Sequence, residues 1–305
     1  MKIKAHQTFS IRMGWLYKGL SNVIKDTQTE SSSDLFISDD NMNRLGLGSA
    51  MVKSLRYWMV ATGLTTEKLA GSEKGQRATE FGSLVYKYDK HFEEIGTLLL
   101  CHYFLASNKE WGTSWYYFFN EFMAKEFTKN DLTLETVNWI HSIKKTVAES
   151  SIASDVDCII KTYCNIQETE YDGNIFENNK ICPLSQLGLV MQSNENPAIY
   201  YKNSNLLETI PSEIAMFVIM NQLESLNSKN MTALNLDALI VQPASLAKIF
   251  NFSTEELIRL ITRLEIEGYL RYVKTAGLEQ IILSNNSNNS MYYLHKYYEK
   301  RTNEK

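Results

Sequence analysis

The stretch that most constrains this chain is Leu45 to Leu64, LGLGSAMVKSLRYWMVATGL, because its apolar residues recur at helical period. Met51, Leu55 and Met59, with Val52 and Trp58 beside them, fall on one stripe, while Ser49, Lys53 and Arg56 fall together on the opposite face. Gly46 and Gly48 supply a permissive turn before the helix, and Gly63 can close it in the left-handed conformation that a side chain resists. A short helix with small residues at its entry and cations on its outer face can lie in a DNA groove as the second helix of a helix-turn-helix. The same pattern also describes an amphipathic core helix with a solvated face.

The flanking segments read as supports. Phe9 to Val23 carries Ile11, Trp15, Leu16 and Leu20 on one stripe, with Arg12, Lys18 and Lys25 outside. An acidic, Ser/Thr-rich loop over 26–40 leads into a short helix at Asn41 to Leu45. After Gly63, the run LTTEKLAGSEKGQRATE places Gly71 and Gly75 around Ser72, Glu73 and Lys74, as expected of a tight hairpin carrying Lys68, Lys74 and Arg77. Three helices followed by such a hairpin predict a winged helix.

A second winged helix is predicted near the other end. Pro243 to Phe250 forms a short helix, Asn251-Phe252 makes the turn, and Ser253 with Glu256 forms a capping box. Leu257, Ile258, Ile261 and Leu264 give the inner face of a helix that Gly268 ends, and Tyr269 to Leu283 supplies two β-rich arms around Thr275, Ala276 and Gly277. Arg259 and Arg263 face outward, but Glu255 and Glu267 stand at the spacing of intrahelical ion-pair partners. Lys248 to Lys274 holds five cations and four anions, so this unit fits protein contact at least as well as DNA. The polar run SNNSNNS then tethers an aromatic and basic tail, MYYLHKYYEKR.

Between the two units the pattern is helical and aromatic. Ile95 to Leu105 is apolar nearly all round and predicts a buried helix, Trp111 to Phe127 its packing partner, and Thr133 to Val147 a third helix. Aromatics at this spacing are read as core, with a base-stacking platform as the alternative. Ser154 to Asn165 reads as helix, Ile166 to Lys180 as loop or weak hairpin, Tyr200-Tyr201 as strand, and Ile214 to Leu226 as helix. The expected class is therefore mainly α, with two winged-helix units joined by an all-helical scaffold. The domain boundaries follow as 1–150, winged helix plus helical domain; 151–285, a domain ending in a winged helix; and 286–305, tether and tail.

Charge narrows the partner. The chain carries a net −4, yet residues 1–77 hold eleven Lys and Arg against seven Asp and Glu, so nucleic acid should meet that part first. No apolar run approaches a membrane span and no secretory signal precedes the first helix, which predicts a cytoplasmic protein with no membrane partner. Cys101, Cys158, Cys164 and Cys182 are too scattered for a disulfide framework or for a zinc pair on one turn, and buried thiols are expected.

No strong catalytic constellation is present. Asp89, His91, Glu93, Glu94 and His102 form the densest ionisable cluster. Asp89, Glu93 and Glu94 could hold Mg²⁺ or Mn²⁺ for a nuclease, beside the plainer reading of a solvated acidic face, and His102 reads as a hydrogen-bonded core histidine. No phosphate-cradling glycine motif with Lys-Ser/Thr appears, so no nucleotide cofactor is expected.

The runs HQTFSIRMGWLYKGL at 6–20, LGLGSAMVKSLRYWMVATGL at 45–64, EEIGTLLLCHYFLASN at 93–108 and CPLSQLGLV at 182–190, with Ala276-Gly277-Leu278, resemble the SspB-like family of domains encoded in DNA phosphorothioation and defence clusters. The resemblance implies DNA binding and, for the SspB branch, strand nicking that accompanies sulfur insertion by partner proteins of the same system. No catalytic residue follows from it. The expectation is a DNA-binding component of an anti-phage modification system, with a homodimer possible in principle; the rival is a non-enzymatic adaptor or transcription regulator. The expected DNA contacts are Arg12, Lys18, Ser49, Lys53, Arg56, Lys74, Arg77, Arg259, Arg263 and Lys274.

Overall fold

Two hydrophobic cores divide the chain, one within residues 1–118 and 122–203, the other within 119–121 and 204–305. The computed structural model describes residues 1–67, 69, 71, 74–164, 181–225, 233–275, 278–284 and 289–303. The hairpin residues Lys68, Ser72 and Glu73, the loop 166–180, the wing turn Ala276-Gly277 and most of the SNNSNNS run lie outside the described residues. Mainly α-helical structure is confirmed.

In the first unit α1 (Trp15–Asp26), α2 (Asn41–Leu45) and α3 (Ser49–Ala61) pack as the apolar stripes require. Ile11, Trp15, Leu16, Leu20, Val52, Leu55, Trp58 and Met59 are all buried. Gly46 at φ 60° makes the turn into α3, and Gly63 at φ 75° ends it with its α-carbon against the Phe104 ring, where an added Cβ would sit 2.6 Å from Cγ. Then β1 (Thr65–Thr66) pairs antiparallel with β2 (Arg77–Ala78), and α4 (Glu80–Tyr88) follows, its N-terminus capped by Thr79.

The buried helix is α5 (Ile95–Ser107), nearly all of whose side chains are inside. Its expected partner is shorter than the apolar pattern suggests: α6 (Thr113–Tyr116) widens into a π turn at Tyr117–Glu121, and the chain then extends into β3 (Glu126–Thr128). The π turn leaves carbonyls for another donor. Lys202 Nζ takes them, donating to Phe118 O at 2.7 Å and Phe122 O at 2.5 Å. Helices α7 (Lys129–Ser142) and α8 (Glu149–Tyr163) pack together, a 3₁₀ turn spans Pro183–Leu187, and β4 (Val190–Gln192) and β5 (Ile199–Lys202) complete a sheet in the order β3-β5-β4. The connecting scaffold is thus not all helical. Its aromatics Trp115, Tyr117, Phe118, Phe119, Phe122 and Phe127 are buried, so they are core and no stacking platform.

The second unit contains α9 (Ser212–Ser225), β6 (Ala233–Asn235), α10 (Leu236–Val241), α11 (Leu246–Phe250), α12 (Thr254–Ile266), β7 (Leu270–Thr275), β8 (Leu278–Leu283) and α13 (Ser290–Asn303). Asn251 takes φ 57°, and the Ser253/Glu256 capping box forms with both reciprocal bonds. The antiparallel sheet runs β6-β8-β7, with Leu270 opposite Leu283 and Thr275 opposite Leu278. The residues after 289, read from sequence as a tail, are a helix instead. Tyr293, Leu294, Tyr297 and Tyr298 recur at helical spacing and are buried where α13 packs on α9, which apolar burial favours over a free aromatic segment.

Candidate nucleic-acid interface

The outward face of α3 begins at Gly48, which takes an extended conformation and offers no side-chain cap to the first amides of the helix, and Ser49 beside it is exposed. One turn on, Lys53 is exposed and has no acidic partner among the described residues. Arg56, a further turn along, is engaged: its Nε donates to Glu67 Oε1 at 2.7 Å. Glu67 also accepts from Gln76 Nε2 at 3.0 Å, while Gln76 Oε1 accepts from the buried Thr65 hydroxyl at 2.8 Å. This net fastens α3 to the hairpin. Burial alone would push the Glu67 carboxyl up, but hydrogen bonds from Arg56 and Gln76 outweigh it and hold the group below its ordinary range.

The other N-terminal cations have varied duties. Lys18 Nζ donates to Leu45 O at 2.8 Å, neutralising the carbonyl end of α2. Arg12 lies over the rings of Phe9 and Trp15 at 5.3 and 5.4 Å. Arg77 Nε donates to Ser31 O at 2.6 Å, and Nη2 reaches the same carbonyl. Lys74 is exposed, its own carbonyl accepting from Ser32 Oγ at 2.9 Å. Nearby Arg44 forks onto both Asp26 oxygens at 2.7 Å and onto Asp34 at 3.0 Å, a pairing that local spacing could not reveal.

The second unit corrects the intrahelical pairing expected from sequence. Arg259 meets Glu208 at 3.4 Å rather than Glu255. Arg263 donates from Nη1 to Leu207 O at 2.9 Å and from Nη2 to Ile210 O at 2.6 Å rather than turning to Glu267. Two backbone carbonyls fixed at the fork spacing of a guanidinium outcompete one mobile carboxylate on the surface. Lys274 pairs with Glu279 across the β7-β8 ladder. Glu279 also accepts from the Tyr272 hydroxyl at 2.6 Å, which pushes that phenol up to about 12.

Asp89, Glu93 and Glu94 are close in sequence, but the Asp89 carboxylate is turned inward. It accepts from the backbone N–H of Glu93 at 2.9 Å and of Glu94 at 3.1 Å, holding the loop that enters α5. Among the described residues no three His, Cys, Asp or Glu side chains come together as metal ligands. His102 is a core histidine with Nδ1 2.7 Å from the Tyr163 hydroxyl. The four cysteines are buried free thiols, and burial pushes those of Cys164 and Cys182 up to about 12. Among the described residues no helix is long and apolar enough to cross a membrane.

One buried polar group carried no signal in the sequence. His6 Nε2 lies 2.9 Å from Asp155 Oδ1, which also accepts from the Lys4 N–H at 2.8 Å, while Ser114 Oγ donates to Oδ2 at 2.5 Å. The Thr8 N–H donates to His6 Nδ1 at 3.1 Å, so the ring carries its proton on Nε2 and donates to the carboxylate. Lys4, Gln7 and Thr8 all take positive φ, strain the anchor overcomes.

Comparison with known proteins adds a family and two structures. The family model described as "Protein of unknown function (DUF4007)" matches residues 3–298. The crystal structure of SspB superposes with a TM-score of 0.82 at 25% identity, covering 98% of this chain and 88% of that one. A magnesium ion-bound SspB crystal structure superposes with a TM-score of 0.80 at 24% identity over the same shares. No curated protein matches.

Proposed function

Because the chain belongs to the DUF4007 family, with an SspB-like fold over nearly its whole length, we propose that it is a DNA-binding component of a phosphorothioation-type modification and anti-phage system. The observation that carries this reading is the outward face of α3, where an exposed Ser49, a helix N-terminus with no side-chain cap and an acid-free Lys53 lie along one side of the helix. Phosphate groups are met by such donors. In this reading 1–77 and its hairpin form a winged helix on DNA, with Lys74 and Arg77 on the wing. In the same reading the helix-turn-helix and β7-β8 hairpin of the second unit form a winged helix whose Arg259, Arg263 and Lys274 are engaged within the protein, which favours contact with other proteins of the system.

Strand nicking is the activity the family likeness suggests for the complete assembly. Magnesium is the ion to try first, because one of the similar structures is of magnesium-bound SspB. Asp89, Glu93 and Glu94 do not fit such an ion here, since the Asp89 oxygens already accept two backbone bonds.

Two measurements test the reading. Lys53→Glu should weaken duplex binding across sequences and flatten its salt dependence by about one to two phosphate contacts. Unchanged affinity and slope would remove α3 from the DNA face. A supercoiled-plasmid assay with Mg²⁺ or Mn²⁺ separates a nicking factor from an adaptor or regulator, which would leave the plasmid closed.

A further inference from the structure

The turn between α4 and α5 is more strongly built than a connector requires. Asp89 fixes its far side through the Glu93 and Glu94 amides, and Phe92 is held at φ 60° with its ring buried. A bulky residue rarely takes that conformation, and here it turns Lys90 and His91 outward. The exposed His91 ring lies 4.8 Å from the ring of Tyr17 on α1, itself 36% exposed. Met13, one turn earlier, is also exposed. Lys90 and Arg12 have no acidic partner among the described residues, and Lys87 lies over the Tyr88 ring at 4.6 Å. The nearest exposed acid in the turn is Glu93.

Two exposed rings in tilted contact at 47°, beside an exposed lysine that no acid among the described residues neutralises, offer faces on which flat, anionic ligands can lie. We infer that Tyr17 and His91 form a stacking platform for unpaired bases of DNA, with Lys90 meeting an adjoining phosphate. The rings supply sequence-tolerant stacking and the lysine meets the backbone. The inference rests on the DNA-binding reading above and adds single-stranded DNA to it. It also gives the residues around Asp89 a use other than metal binding: the carboxylate sets the turn, and the turn presents the imidazole.

The test is fluorescence anisotropy of the full chain with an end-labelled oligothymidylate and, separately, a hairpin duplex of similar length. Tyr17→Ala and His91→Ala should each weaken oligothymidylate binding about tenfold or more while duplex binding stays within about twofold. Tyr17→Phe and His91→Phe keep a ring and should retain single-strand binding, which separates stacking from loss of fold. Unaltered oligothymidylate binding in both alanine variants, equal losses on both probes, or tighter binding of oligouridylate than of oligothymidylate would overturn the inference. Failure here with Lys53-dependent duplex binding intact removes only the platform. Absence of binding to both probes by the unmodified chain removes the DNA reading itself.

Discussion

Arg56 Nε and Glu67 Oε1 lie 2.7 Å apart, so one of the two cations on the outer face of α3 is held by the hairpin's own carboxylate. The pair is partly solvated, with 40% and 23% of the side chains exposed, and is worth no more than about 1 kcal/mol of stability. Its electrostatic effect on a phosphate is larger. Glu67→Gln removes the countercharge and should tighten duplex binding, steepening the plot of log affinity against log salt by about 0.9. Anisotropy titrations over a salt series measure both.

The same carboxylate gives a pH signature. Its folded-state value is depressed below 4.5, so its stabilising contribution is complete above the unfolded value and is lost as pH falls through the folded one. Urea unfolding at neutral pH should show Glu67→Gln less stable than the unmodified chain, and the gap should close as the pH is lowered through the depressed folded-state value of Glu67.

Asp89→Ala leaves the entry amides of α5 without their acceptor and should cost about 1–3 kcal/mol in denaturant unfolding. Burial, the largest influence on this group, pushes its carboxyl up, as befits a side chain turned to the protein interior. Millimolar magnesium should affect the melting temperature of Asp89→Ala and of the unmodified chain equally; a shift confined to the latter would restore a metal role to Asp89.

Asp155→Ala strips three donors of their buried acceptor and should destabilise the first unit by about 3–5 kcal/mol. Residues 1–8, released from their anchor, should then be cut early in limited proteolysis, with the cleavage site read by mass spectrometry.

Ser253→Ala should cost about 1 kcal/mol by opening the capping box of α12. Glu256 also accepts from Ser204 Oγ at 2.8 Å, so Glu256→Ala should cost more than the serine change. Thermal melts of the two variants compare the effects.

What was legible in the sequence was local. The α3 stripe, the left-handed Gly63, the Asn251 turn and the Ser253/Glu256 box each depend on residues within a few positions of one another. What was not legible depends on chain brought in from afar. Arg263 finds carbonyls 53 and 56 residues away, β3 pairs with β5 across the whole of α7 and α8, and no neighbour of Arg56 announces Glu67 across the turn. The outer face of α3 was readable as a surface because period alone separates inside from outside. Which of its charges is already neutralised was not, since that is decided by the hairpin's return.

The linkage of His6 to Asp155 joins positions 149 residues apart. A chain emerging from the ribosome amino end first therefore has its opening strap synthesised long before the carboxylate that retains it. The first unit cannot lock residue by residue as it is made: its anchor closes only once α8 has cleared the exit tunnel, a step that synthesis of the second unit still follows.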